Sequence, residues 1–159
     1  MLGSIASRLA ERGVTLGLAP AAAGAYTAAL TVGDLLFTSG QVAVDGESGL
    51  VARGVLGAEV DLETGIACAR QCALNVVAQI AAALGDLDRV RHVVKLTVYV
   101  ASAPGFTDQP LVANGASELI NDVFGEIGIH TRSAVGVASL PGGSPVEVEA
   151  IVQIEGSRI

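Results

Sequence analysis

The order of strand and helix patterns predicts an α+β domain in which two helices pack on one face of a single sheet. Two short strand patterns precede a long amphipathic helix, a β-branched strand and a second helix follow, and two more strands close the order. At 159 residues the chain has the length of one domain with a core that needs no disulfide or metal.

Ser4 to Gly13 has the pattern of a short helix, with Ser4 as its cap and Gly13 as its stop, and it reads as an appendage. Residues 1–17 are therefore assigned to an N-terminal helical extension and residues 18–159 to the domain. Leu18 to Gly24 is an extended lead-in. Ala25–Thr31 and Leu35–Ser39 are strand-like, and Val32-Gly33-Asp34 between them makes a hairpin. Asp45 to Gly49 is a polar turn. From Asp61 to Leu84, Ile66, Ala69, Ala73, Val76, Val77, Ile80 and Leu84 recur at helical spacing, and Gly85 stops the run. Val90–Val100 alternates like a strand, with Val94, Leu96, Val98 and Val100 on one side. After a loop at Pro104-Gly105, Val112–Phe124 is the second helix and Gly125 ends it. Ser133–Ser139 and Val146–Ile154 are the last strands. In the final strand Glu147 and Glu149 point away from the side that carries Val146, Val148 and Ala150, so the two carboxylates face away from the helix-packed core.

Composition narrows the function. Apolar residues make up 51% of the chain and charged residues 16%, with a mean hydropathy of +0.58. No run approaches the ~20 uninterrupted apolar residues of a spanning helix, and Arg8, Glu11 and Arg12 interrupt the N-terminal segment, so neither membrane nor signal peptide is expected and the expected compartment is the cytoplasm. The apolar excess then points to subunit contacts. Sixteen acidic residues against nine basic ones, a net charge of −7 and 3% aromatic residues argue against nucleic acid. Cys68 and Cys72 lie one helical turn apart among Ala and Leu, which is core chemistry; neither His92 nor His130 has metal-ligand spacing to them, and no metal is expected.

The Leu140 to Pro145 stretch lacks the Walker lysine and the nucleophile elbow, so it reads as a turn. The chemistry-bearing residues are Arg132, an isolated cation before a small-residue strand, and Glu147 fifteen positions on. A guanidinium grips a carboxylate bidentately. Its bland alternative is a surface or interface salt bridge.

The run from Arg132 through Ser133-Ala134-Val135-Gly136-Val137-Ala138-Ser139-Leu140 to Pro141, followed by Val146-Glu147-Val148-Glu149-Ala150, resembles the C-terminal signature of the RidA (YjgF) family. Ala19-Pro20, Gly24, Tyr26, Thr38-Ser39-Gly40-Gln41 and Asn114 at the opening of the second helix fit the same pattern, so the resemblance spans about residues 18–154. It implies a fold similar to bacterial chorismate mutase: one mixed sheet with two helices on one face, assembled as a homotrimer around a central β-barrel with clefts between subunits. The implied activity is hydrolysis of reactive enamines and imines, such as 2-aminoacrylate and 2-iminobutanoate, to 2-oxo acids and ammonia. Arg132 would hold the substrate carboxylate, Glu147 (or Glu149) would activate water, and Tyr26, Ser39, Gly40, Asn114 and the Ala134 backbone would line the cleft. No cofactor is implied, because an iminium is already electrophilic.

Ala25, Ala28, Ser117 and a longer Ala101–Leu111 loop depart from the family pattern and bear on which imino acid is preferred. The rival reading is a trimeric protein that binds a small carboxylate without efficient deamination. A ribonuclease role, also associated with the family, is opposed by the net charge. Geometry sets a condition: a simple hairpin of the last two strands would leave Arg132 and Glu147 roughly 20 Å apart at ~3.3 Å per residue, whereas the sheet order that the resemblance implies does not pair these strands as neighbours.

Overall fold

The computed structural model describes residues 4–46 and 48–156. Glu47 of the predicted polar turn and the outermost ends of the two predicted regions lie outside them. In chain order the elements are α1 (Ile5–Glu11), β1 (Ala29–Val32), β2 (Leu35–Thr38), β3 (Gln41–Val42), β4 (Val44–Asp45), β5 (Gly49–Leu50), α2 (Leu62–Leu84), β6 (Val90–Ala101), α3 (Gln109–Phe124), β7 (Thr131–Val137) and β8 (Val146–Ile154). The main sheet runs β1-β2-β8-β6-β7, with β3 also on β8. Its one parallel pairing is β6 with β7, so the sheet is mixed.

Asp61 caps α2 by accepting from the Thr64 amide at 2.8 Å, and these bonds hold its carboxyl below the usual range. Gly85 ends the helix in the left-handed conformation, as the sequence predicts. The α2 face of Cys68, Ala69, Cys72, Ala73, Val76, Val77 and Ile80 is buried with Leu96, Val98, Val100, Val146, Val148 and Val152 of the sheet. Among the described helices α2 has the length and composition to cross a membrane, yet 56% of its most apolar window is buried inside this domain. Asn75 and Gln79 on it are tied to the Val42, Val44 and Pro20 carbonyls. Both cysteines are core residues. Burial pushes their thiols up, and the Cys72 Sγ donates to the Val146 carbonyl.

Several expectations change: the first strand starts at Ala29 rather than Ala25, the short strands β3, β4 and β5 flank what the sequence predicts only as a polar turn, and β7 covers Thr131–Val137 rather than Ser133–Ser139 because its ends are set by pairing with β6. The N-terminal helix is docked rather than appended: Ile5 is buried, its amide donates to Asp88 Oδ1 at 2.7 Å, and Arg12 pairs with Asp122 of α3 at 3.1 Å. The second helix starts at Gln109 instead of Val112, because Pro110 fits its first turn, where no amide donor is required. The alternation in β6 holds from Leu96 to Val100, but a register shift between Val93 and Lys95 buries Val93 and exposes Val94.

The helices α2 and α3 touch at backbone distance. A Cβ on Gly115 would lie 2.1 Å from the Ile66 carbonyl oxygen, so only glycine permits this approach. It fixes the height of α3 over the sheet, and α3 carries Asn114 and Ser117.

Candidate functional site

The last two strands do not form a hairpin. Between them runs β6, with Leu96 opposite both Arg132 on β7 and Ala150 on β8. Glu147 is opposite Tyr99, three positions from that row. Side chains of paired residues share a face and alternate along a strand, so Arg132 and Ala134 lie on the face of buried Leu96 and Val98, while Glu147 and Glu149 lie with Tyr99 and Thr97 on the open face. Arg132 and Glu147 are thus on opposite faces and their Cα atoms are about 14 Å apart, from two inter-strand spacings and three residues of rise. Within one chain they form two half-sites.

The first half-site sits under α3. Asn114 and Ser117 are three residues apart and so project from one side of that helix. The Arg132 Nη1 donates to Asn114 Oδ1 and Ser117 Oγ, each at 3.0 Å, and Nη2 donates to the Pro110 carbonyl at 3.2 Å. Asn114 is therefore inside the helix, not at its opening, and its amide serves the guanidinium rather than a helix end. Among the described residues no carboxylate pairs with Arg132, which removes the salt-bridge reading within the chain. On β7 the Val137 carbonyl accepts from the Ser102 amide that follows β6. By alternation the backbone donor and acceptor of Ala134 point away from β6, along the free edge of the sheet.

The second half-site gathers where β8 begins. Gly40 precedes β3, which places Val42 opposite Glu147. A Cβ on Gly40 would lie 2.0 Å from Glu147 Oε1, so the carboxylate rests against bare backbone. Ser39 donates through Oγ to the Thr27 carbonyl at 2.7 Å and through its amide to Ala28, which holds the Tyr26 segment beside Gly40. Tyr26 is 52% exposed, and its hydroxyl accepts from the Ala23 amide. The two candidate carboxylates differ. Glu149 Oε1 accepts from the Tyr99 hydroxyl at 3.2 Å, whereas Glu147 has no ion-pair partner among the described residues. Burial, and secondly the charge of Glu149, raise the Glu147 carboxyl above its ordinary value. A raised, unengaged carboxylate is the better general base.

Gly40→Ala is accordingly expected to push the Glu147 carboxylate off its seat with little change in thermal stability, since the obstructing group is the end of a flexible side chain. A crystal structure of the variant beside a melting curve checks this.

Sequence reasoning marks Ser117 only as a departure from the family pattern and His130 only as a residue that could border the cleft; it does not join Ser117 to Arg132 or His130 to Ser117. Ser117 Oγ lies 2.9 Å from His130 Nε2, and His130 Nδ1 lies 2.6 Å from the Gly128 carbonyl oxygen. The spacing of Ser117 from Asn114 was the available signal. Two clefts elsewhere, of about 650 Å³ between α1 and the end of α3 and about 520 Å³ between the lead-in and α2, hold none of the predicted site residues.

The open face carries further weight. Leu30 and Phe37 on it, in the row of Ile151, are exposed, as is Val135 beside Tyr99. An exposed apolar patch on a sheet face marks an interaction surface.

The sequence profile described as Endoribonuclease L-PSP matches residues 16–154, which leaves α1 outside the match. The chain is 50% identical over 153 residues to Protein TCP17 of Trypanosoma cruzi, covering 96% of this chain and 95% of that one. It is 35% identical over 136 residues to the 2-iminobutanoate/2-iminopropanoate deaminase of Salmonella typhimurium, covering 84% and 90%. The crystal structure of the protein Atu1372, of unknown function, from Agrobacterium tumefaciens superposes with a TM-score of 0.86 at 44% identity, covering 96% of this chain and 92% of that one. With a mixed sheet, helices over one face and a profile match from the lead-in to the last strand, the chain belongs to the Endoribonuclease L-PSP family, the family of RidA and YjgF.

Proposed function

We propose that the protein hydrolyses reactive 2-imino acids and their enamine tautomers, of the 2-aminoacrylate and 2-iminobutanoate type, to 2-oxo acids and ammonia. The observation that carries this is the pair of half-sites: an unpaired, tethered guanidinium on one face and a raised, unengaged carboxylate on the other. The site is completed between subunits of a homotrimer whose sheets pack by their open faces around a central barrel. Arg132, Asn114 and the Ala134 backbone come from one subunit; Tyr26, Ser39, Gly40 and Glu147 come from its neighbour. The exposed Leu30, Phe37 and Val135 support such packing.

In the reaction the enamine first takes a proton on carbon to give the iminium. Arg132 holds the carboxylate, which orients the electrophilic carbon. Glu147 takes a proton from water as the water oxygen bonds to that carbon, giving a carbinolamine; Glu147 then returns that proton to the amine nitrogen, the carbon–nitrogen bond breaks, and ammonia leaves as the hydroxyl proton passes to solvent and the carbonyl forms. The net charge of −7 favours this chemistry over a phosphate-backbone substrate, although the family's name refers to a ribonuclease.

The test is release of ammonia and 2-oxo acid from freshly generated 2-aminoacrylate or 2-iminobutanoate, with the oligomer measured by light scattering. Acceleration over buffer by a trimer is expected. A trimer that binds 2-oxobutyrate without accelerating the reaction would make the protein a small-carboxylate binder, and a monomer would remove the site.

A further inference from the structure

We infer that His130, acting through Ser117, is a positioning residue that sets the orientation of the Arg132 guanidinium; the inference rests on the reading of Arg132 as the substrate-carboxylate anchor.

An arginine on an edge strand has many rotamers, and holding one of them costs entropy. Here the guanidinium is held by three acceptors: Asn114 Oδ1, Ser117 Oγ and the Pro110 carbonyl. A guanidinium has five N–H donors, so two remain, the number a carboxylate takes in a bidentate grip. Of the three acceptors only Ser117 carries a hydroxyl whose direction is free. A serine proton aimed at Arg132 would oppose the guanidinium, so something must take that proton elsewhere.

His130 does this. The Gly128 carbonyl can only accept, so the 2.6 Å contact places the imidazole proton on Nδ1. The Nε2 atom, 2.9 Å from Ser117 Oγ, is then an acceptor. Ser117 donates to His130 and keeps its lone pairs for Arg132 at 3.0 Å. Each proton from Arg132 to the Gly128 carbonyl has one direction. Half-burial of His130 favours the neutral ring that this chain of bonds requires, the Gly128 bond opposes that effect, and the charges of Arg132 and His92 reinforce it. Gly128 itself is buried against Ile120 and Phe124 of α3, so the acceptor at the far end is fixed.

The two amide substitutions separate positioning from packing. In His130→Asn the amide nitrogen can replace Nδ1 toward Gly128 while the acceptor for Ser117 is lost; in His130→Gln the longer amide can return an acceptor to the Nε2 position. For the full-length protein, His130→Asn and Ser117→Ala are expected to raise KM for 2-iminobutanoate and the Kd for 2-oxobutyrate, measured by calorimetry, about tenfold, with kcat changed less than about twofold. His130→Gln is expected to recover most of the loss.

Equal impairment by His130→Asn and His130→Gln, together with lowered thermal stability, would overturn the inference in favour of a packing role. Unchanged KM and Kd in both, with Arg132→Ala abolishing binding, would overturn it and leave the Arg132 reading standing. Failure of the wild type to bind 2-oxobutyrate or to accelerate deamination, with Arg132→Ala indistinguishable from it, would remove that reading and the inference with it.

Discussion

Arg132→Ala is expected to lower kcat/KM for 2-iminobutanoate by about 10³-fold or more, which is ~4 kcal/mol of transition-state binding. The residue lies at the start of an edge strand, half-buried, with its tether on α3 and without a described carboxylate partner. On the proposed function, its removal deletes a charge-assisted, bidentate contact to the substrate. The same variant leaves Asn114 and Ser117 free to meet water, so the fold is expected to melt at nearly the wild-type temperature. Arg132→Lys keeps the charge, but it cannot reach Asn114, Ser117 and Pro110 while also presenting two parallel donors. An activity close to that of Arg132→Ala is therefore expected. Wild-type kcat/KM in both variants would refute the anchoring role.

Glu147→Gln is expected to lower kcat by about 10²–10⁴-fold, the range for a lost general base, while KM changes little. Its effect on stability has the opposite sign. The folded-state carboxyl titrates above its unfolded value, because burial and Glu149 disfavour the anion. The protonated form therefore contributes stability that is fully present below the unfolded value and is lost as pH rises through the folded one. At neutral pH the anion is a cost, and the neutral glutamine removes it. The variant is thus expected to be nearly inactive yet to melt at a higher temperature than the wild type at pH 7, with the difference vanishing under acid conditions. In the wild type the acid limb of kcat should lie above the ordinary glutamate range. A destabilised Glu147→Gln would contradict this account of the carboxylate.

The two variants also test where the site is built. Because Arg132 and Glu147 occupy opposite faces of one sheet, the proposed site draws them from different subunits. Co-refolding Arg132→Ala with Glu147→Gln in equal amounts should regenerate activity in about a quarter of the clefts of a cyclic trimer, since each cleft samples its two contributors independently. Two inactive proteins that stay inactive when mixed and reassembled would show that no cleft is shared.

Much of this molecule is legible along the chain because its signals are local. The stretch from Asp61 to Gly85 carries a cap, a helical period and a stop, and it folds as read. The last strand has the predicted bounds and the predicted alternation. Arg132 and Glu147 stand out by residue type, and Tyr26, Ser39, Gly40, Asn114 and Ala134 are marked only through the resemblance to a family, of which the profile match shows the membership and not the roles of these residues. Local signals fail where a neighbour decides. The bulge that turns Val94 outward depends on pairing with β8, and the docking of α1 depends on Asp88 and Asp122, which are distant in sequence.

The sequence by itself determined the long helix, the last strand, the main apolar faces and the residue types able to hold a carboxylate and activate water, because side-chain period and hydrogen-bonding capacity are properties of short segments. The resemblance implied that the last two strands are not neighbours; only the tertiary structure decided that β6 is the strand between them and that Arg132 and Glu147 fall on opposite faces. Only it joined His130 and Ser117 to the guanidinium, because strand order and helix docking set which distant segments meet, and no local period encodes that choice.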